Sequence, residues 1–215
     1  MPARLLAVAL AIVATIAVAR GHHDRADDGR FDYYLMSLSW SPSYCEAHPG
    51  DEDQCAHKGF GFVLHGLWPQ NRDGSWPQHC SSNAEPDAAT VERTLAFMPS
   101  RRLIEHEWQT HGSCTGLEPS AYFDLADRAF ASVKIPDALK TPASAPSMSA
   151  DEIVAAFAAA NRGLDGRMVT VQCRDGGELS EVRVCLDRDS LGPTDCGGRV
   201  RSSCRAGALR IAVVR

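Results

Sequence analysis

Residues 106–114 read HEWQTHGSC. Two histidines with a glutamate between them invite comparison with the H-E-x-x-H zinc motif, whose histidines stand four apart so that one helix face offers both to one metal. Here the interval is five, His106 to His111. That is about 140° of rotation on a 3.6-residue helix, against about 40° for an interval of four. An unbroken helix would ligate one ion poorly with both, and no third ligand follows at a familiar spacing. Glu107 and His111 are the true i, i+4 pair, and Cys114 continues their stripe. A carboxylate and an imidazole on one face suit proton transfer better than metal ligation.

Around this segment the chain reads as helices in the middle and strands at both ends. DYYLMSLSW (32–40) is rich in aromatic and aliphatic residues and partly alternating, so it predicts a strand. Ser41 to Asp53 reads as a Pro/Gly/Asp-rich loop around the first cysteines. GFVLHGLWPQ (61–70) is a short apolar strand, and NRDGSWPQHC (71–80) is turn-rich. DAATVERTLAFM (87–98), SRRLIEHEWQTHGSC (100–114) and PSAYFDLADRAFASV (119–133) have helical spacing, the last able to start at Pro119. TPASAPSMS (141–149) is a surface loop. Ser149 and Glu152 form a capping box before IVAAFAAANRG, with Gly163 as the C-cap. MVTVQC (168–173), LSEVRVCLD (179–187) after a Gly176–Gly177 turn, and ALRIAVVR (208–215) are strands. This order predicts an α+β domain with a central antiparallel sheet and packed helices.

The first residues look like a targeting segment. A positive n-region, MPAR, precedes the apolar run LLAVALAIVATIAVA, and Ala17-Val18-Ala19 supplies an A-x-A site. Cleavage after Ala19 would leave residues 20–215 as a single domain, in the periplasm or secreted. No later apolar stretch is long enough to span a bilayer. Removing Arg4 with the leader takes the net charge from −5 to −6. An acidic chain argues against broad electrostatic binding of nucleic acid, though not against a small local cationic site. All eight cysteines follow the leader, with no C-x-x-C among them, which points to four disulfides in an oxidising compartment. Sequence proximity favours Cys45–Cys55 and Cys185–Cys196, with Cys173–Cys204 enclosing the latter, and leaves Cys80 and Cys114 for each other. A monomer is expected, because no coiled-coil pattern or association element is visible.

A second cluster, FVLHGLWPQ (62–70), also sets a His beside a Gly and a Trp. Together the two segments closely resemble the paired active-site motifs of the ribonuclease T(2) family, F-x-x-H-G-L-W-P and H-E-x-x-x-H-G-[ST]-C. The opening DYYLMSLSWSPSYC and the cysteine pattern are similar to that family as well. The resemblance implies an α+β fold and metal-independent, cofactor-free cleavage of single-stranded RNA, through a 2′,3′-cyclic phosphate to 3′-phosphate ends, with low base specificity. Carried over, it makes His65 the general acid for the leaving 5′-oxygen and His111 the base for the 2′-hydroxyl. His106 becomes the phosphate-binding histidine, Glu107 an acid assisting the transition state, and Trp68 an aromatic against which a base packs. The remaining histidines and the run DEDQC read as surface, and Trp108 as core.

The chemistry stands without the family. RNA carries its own nucleophile, so an enzyme needs a base, an acid and stabilisation of phosphoryl charge, and imidazole titrates in the right range. One neutral and two protonated imidazoles predict a rate maximum at about pH 5–6. A bare carboxylate would repel the phosphate, so Glu107 is expected to orient an imidazole or to act protonated. Three positions depart from the family pattern. Thr110 stands where Lys is usual, Gln70 where some members have Asp, and Ser39 where Gln is frequent. Thr110 and Gln70 are kept as substrate-binding candidates, and the base preference is left open.

Overall fold

The computed structural model describes residues 29–56, 58–140 and 146–214. The expected leader, its cleavage after Ala19, His22, His23, His57 and most of the 141–149 loop lie outside the described residues. A four-stranded antiparallel sheet, in the order β2-β1-β5-β4, is built from β1 (Tyr33–Trp40), β2 (Phe62–Gln70), β4 (Val169–Arg174) and β5 (Glu178–Asp187). Its helices are α1 (Ser41–Ala47), α2 (Glu52–Cys55), α3 (Ala88–Thr94), α4 (Arg101–Thr110), α5 (Pro119–Ser132) and α6 (Ala150–Ala160). The expected α+β class with a central antiparallel sheet holds. All four expected disulfides are present: Cys45–Cys55, Cys80–Cys114, Cys173–Cys204 and Cys185–Cys196.

Strand alternation divides the sheet into two faces. Tyr34, Met36, Leu38 and Trp40 of β1 enter the main core, with Ile104 and Trp108 of α4, Tyr122 and Phe123 of α5 and Phe157 of α6. Tyr33 and Leu35 point the other way, into a small cluster with Cys185 and Cys196, against which Trp68 packs. Trp68, one of the candidate residues, lies on this second face.

Several local expectations differ from the structure. The segment Ser41–Asp53 is not a loop: Pro42 opens α1, and Asp51 caps α2 by accepting from the Gln54 amide. The helix expected over 87–98 stops at Thr94. Of the segment expected to be a strand from Ala208 on, β6 (Ala208–Leu209) pairs with β3 (Met148–Ser149), which was expected to be loop, and Arg210 adds a single parallel bridge to Glu178. The capping box on α6 is present, but Asn161, not Gly163, caps its end. The Asn161 amide donates to the carbonyls of Phe157 and Lys134, which a glycine could not do. Among the described residues, no helix is long and apolar enough to cross a membrane.

Candidate active site

His65 owes its position to a break in β2. Ser37 pairs with Gly66 and Leu38 with Leu64, so His65 is the extra residue of a β-bulge with no partner across the ladder. Bulges re-aim side chains. Leu64 and Leu67 both keep to the core while His65 and Trp68 serve the opposite face. Gly66 makes the site possible. A β-carbon there would overlap Glu107 Oε2 and Trp68 Nε1.

Helix α4 starts at Ser100, whose hydroxyl accepts from the Leu103 amide. Ile104, Glu107 and Trp108 form its buried stripe, so Glu107 lies on an apolar face with only 1% of its surface exposed. The helix ends at Thr110, and His111 leaves it with φ −122°, ψ −48°. Gly112 follows because a side chain there would run into the rings of Trp108 and Tyr122. The interval of five is thus not measured along a continuous helix. His111 caps the end of the helix, and the charge of His106 is one of the influences, after burial, that lower its pKa.

Four of the expected residues meet directly. Trp68 Nε1 donates to Glu107 Oε2 at 2.7 Å. Its ring lies 5.2 Å from that of His65, edge-on, and 5.2 Å from that of His111, tilted by 32°. Glu107 Oε1 is 3.7 Å from His65 Nε2. His106 joins from the exposed side of α4, its Nδ1 3.5 Å from the Thr110 hydroxyl. Thr110 itself is buried, and its carbonyl accepts from the His79 amide. Gln70 stands apart: it is buried at the end of β2, and its amide donates to the Pro69 carbonyl. Trp108 is core, as expected, with Nε1 donating to the Ala84 carbonyl.

Two residues of the cluster were missed by sequence reasoning. Glu181 Oε1 accepts from His65 Nδ1 at 2.7 Å. Arg183 grips the other oxygen of Glu181 from Nε at 2.9 Å and Nη2 at 2.7 Å, and its guanidinium lies 5.2 Å from the centre of the Trp68 ring. Their one sequence signal is two opposite charges at i, i+2 inside a strand, hence on one face.

Electrostatics separates the groups. Burial pushes Glu107 up to about 7, despite the opposing pull of His65 and the Trp68 hydrogen bond. Burial drives His111 down to about 3, helped by His106, His65 and His79. His106 is also lowered, by burial and then by His65 and His79. Burial works against protonated His65, yet its hydrogen bond to Glu181 and the charges of Glu107 and Glu181 win, and its pKa is raised. Burial would raise Glu181, but the His65 hydrogen bond, followed by the charges of His65 and Arg183, holds it at about 2. Glu107 Oε1 and His111 Nδ1 are buried without a hydrogen-bond partner among the described residues. A buried polar atom without a partner carries a desolvation cost that a hydrogen bond would relieve. Beside His65 and His106 opens a cleft of about 540 Å³, lined also by Ser39, Tyr44, Arg102 and Arg174.

The family model described as the ribonuclease T2 family matches residues 31–196. The chain belongs to the ribonuclease T2 family. The matched region contains both histidine clusters and carries that family's endoribonuclease domain. It is 45% identical to a ribonuclease of Aeromonas hydrophila over 102 residues, 47% of this chain and 46% of that protein, so this match spans just under half of the relative's length. Ribonuclease DdI of Dictyostelium discoideum is 29% identical over 215 aligned positions, covering 90% of this chain and 92% of that one. The fold is similar to that of an RNase-related protein from Calystegia sepium, with a TM-score of 0.70 and 21% identity over 86% of this chain and 99% of that one.

Proposed function

We propose that this ribonuclease T2 family protein cleaves single-stranded RNA by transphosphorylation, using His111 as base and His65 as acid. The observation that carries the reading is the opposition of two imidazoles in one cluster: His65 faces two carboxylates, while His111 sits beside the Trp68 ring with its pKa lowered by burial and then by other histidines. His111 takes the proton of the 2′-hydroxyl, whose oxygen attacks phosphorus. The bond from phosphorus to the 5′-oxygen breaks, and that oxygen takes the proton from His65 Nε2. In the second step His65 removes a proton from water, which opens the 2′,3′-cyclic phosphate. His111 returns its proton to the 2′-oxygen, leaving a 3′-phosphate. Glu107, protonated below about pH 7, donates from Oε1 to a phosphoryl oxygen, and His106 binds the phosphate. A bound anion raises the affinity of His106 and His111 for protons, which strengthens both roles.

No metal or cofactor is needed for these steps. Trp68, anchored by Glu107, offers a face to a base, and Thr110 serves indirectly through His106. Gln70, with its amide already bonded, plays a minor part, which fits a low base preference. The active protonation state, with His111 neutral and Glu107 and His65 protonated, exists between about pH 3 and about pH 7, so the optimum is acidic. The expected leader and the four disulfides fit a single mature domain of residues 20–215, released after Ala19 to the periplasm or exterior, and we further infer that it works as a monomer.

Digestion of total RNA in excess EDTA from pH 4 to 8 tests the reading. The expected result is 2′,3′-cyclic ends formed fastest below pH 7. Disulfide-bonded protein that binds RNA without cleaving it would favour a non-catalytic binding role instead.

A further inference from the structure

The bulge aims His65 at a group that neither of the two motifs contains. Glu181 lies 116 positions along the chain, on β5, opposite Ser39 of β1. It is 13% exposed, accepts from His65 Nδ1 on one oxygen and is held through the other by both Nε and Nη2 of Arg183. Arg183 in turn lies over Trp68, whose indole N–H is bonded to Glu107. His65, Glu181, Arg183, Trp68 and Glu107 therefore form one closed chain of contacts. Two guanidinium N–H groups converging on one carboxylate oxygen hold it by charge-assisted hydrogen bonds. The charged and titratable neighbours of His65 are Glu181 and Arg183 from β5 and Glu107, His106 and His111 from α4 and its end.

We propose that Glu181, gripped by Arg183, is the positioning residue of His65: it occupies Nδ1, so that only the Nε2 proton is available to the leaving 5′-oxygen. This rests on His65 acting as the acid. With Nδ1–H bonded to Glu181, Nε2 is the nitrogen left towards Glu107 Oε1. When the bond from phosphorus to the 5′-oxygen breaks, its electron pair accepts the Nε2 proton. His65 is left neutral as the Nδ1–H tautomer, with Nε2 bare and ready to act as base on water. A histidine hydrogen-bonded in this way has one tautomer and one orientation. Without Glu181 the ring can turn, and the same atom no longer serves both half-reactions.

The test pairs kinetics with ¹⁵N-histidine NMR on the full, disulfide-bonded protein. In Glu181→Gln, kcat should fall roughly 10–100-fold, less than the loss of a whole general acid, with KM changed far less. The His65 titration midpoint and the basic limb of the kcat profile should move down together by about one pH unit or more. Neutral His65 should change from a single Nδ1–H pattern to a tautomer mixture. Arg183→Gln, which loosens Glu181 without removing it, should move both midpoints the same way by less, and it decides the question if Glu181→Gln does not fold. Unchanged tautomer, midpoint and pH limb in a folded variant overturn the proposal while leaving His65 as the acid. Full activity in His65→Ala overturns the acid assignment itself, and the proposal with it.

Discussion

His65 and His111 each have a ring 5.2 Å from one indole, that of Trp68, yet their surroundings have opposite signs. Around His65 the sheet supplies Glu181 at 2.7 Å and α4 supplies Glu107 at 3.7 Å, and its pKa is raised although burial works against it. Around His111 there is burial and a set of other imidazoles, and its pKa falls to about 3. In the proposed mechanism, two identical side chains are thus sorted into a proton donor and a proton acceptor by what surrounds them. The sorting lesson is general: residue type supplies the chemistry, and desolvation and neighbours choose the direction of proton transfer.

The comparison breaks most severely if either imidazole is removed. His65→Ala and His111→Ala should each lower kcat about 10²–10⁴-fold, measured on a dinucleotide substrate. Because the two act in one step, the double variant should lose little more than the worse single one. Near-wild-type rates in either variant would remove that histidine from the mechanism.

Glu107 sharpens the contrast from the other side. It should act as a neutral donor, since burial holds its pKa at about 7. Glu107→Gln keeps a neutral hydrogen-bonding group of similar shape, and should lose roughly tenfold in kcat where Glu107→Ala loses about 10²–10³-fold. Equal losses in the two variants would mean that the ionised carboxylate is the working form.

The pH profile reads both environments at once. Lowering the pH through about 3 protonates His111 and removes the base. Raising it through about 7 ionises Glu107, and at the raised pKa of His65 the acid is lost as well. Initial rates should therefore form a bell whose limbs lie on either side of an acidic maximum. A maximum at pH 8 would contradict this ordering of charges.

The smallest effect is expected at Thr110. Its hydroxyl reaches His106 at 3.5 Å, a weak contact, so Thr110→Ala should change kcat by no more than about fivefold, the worth of about one hydrogen bond. A loss as large as that of His111→Ala would show that Thr110 touches the reacting phosphate.

Much of this was legible along the chain. The two motifs, the strand-helix-strand order, the capping box at Ser149 and the Cys45–Cys55 and Cys185–Cys196 pairs could be read because each is a matter of residue type at short spacing, and the other two disulfides followed by nesting and by what was left over. The helix ends were less legible. Asn161 took the cap expected of Gly163 through hydrogen bonds to Lys134, a partner from the end of a different helix. The segment Ser41–Asp53 looked like loop by composition, but Pro42 and the Asp51 cap form two short helices clamped by Cys45–Cys55.

What the sequence by itself determined is the inventory: three imidazoles, a carboxylate and a tryptophan in two local clusters, on an antiparallel α+β frame. The tertiary structure alone decided their work. An unpaired residue in β2 cannot be seen without the register of β1 beside it, and that bulge is what turns His65 towards Glu181. For Glu107 the sequence left open whether it orients an imidazole or acts protonated. It is nearly neutral because α4 buries it against Trp68. Local spacing encodes which face a side chain occupies, whereas its charge depends on how much water is excluded and which distant groups fold against it.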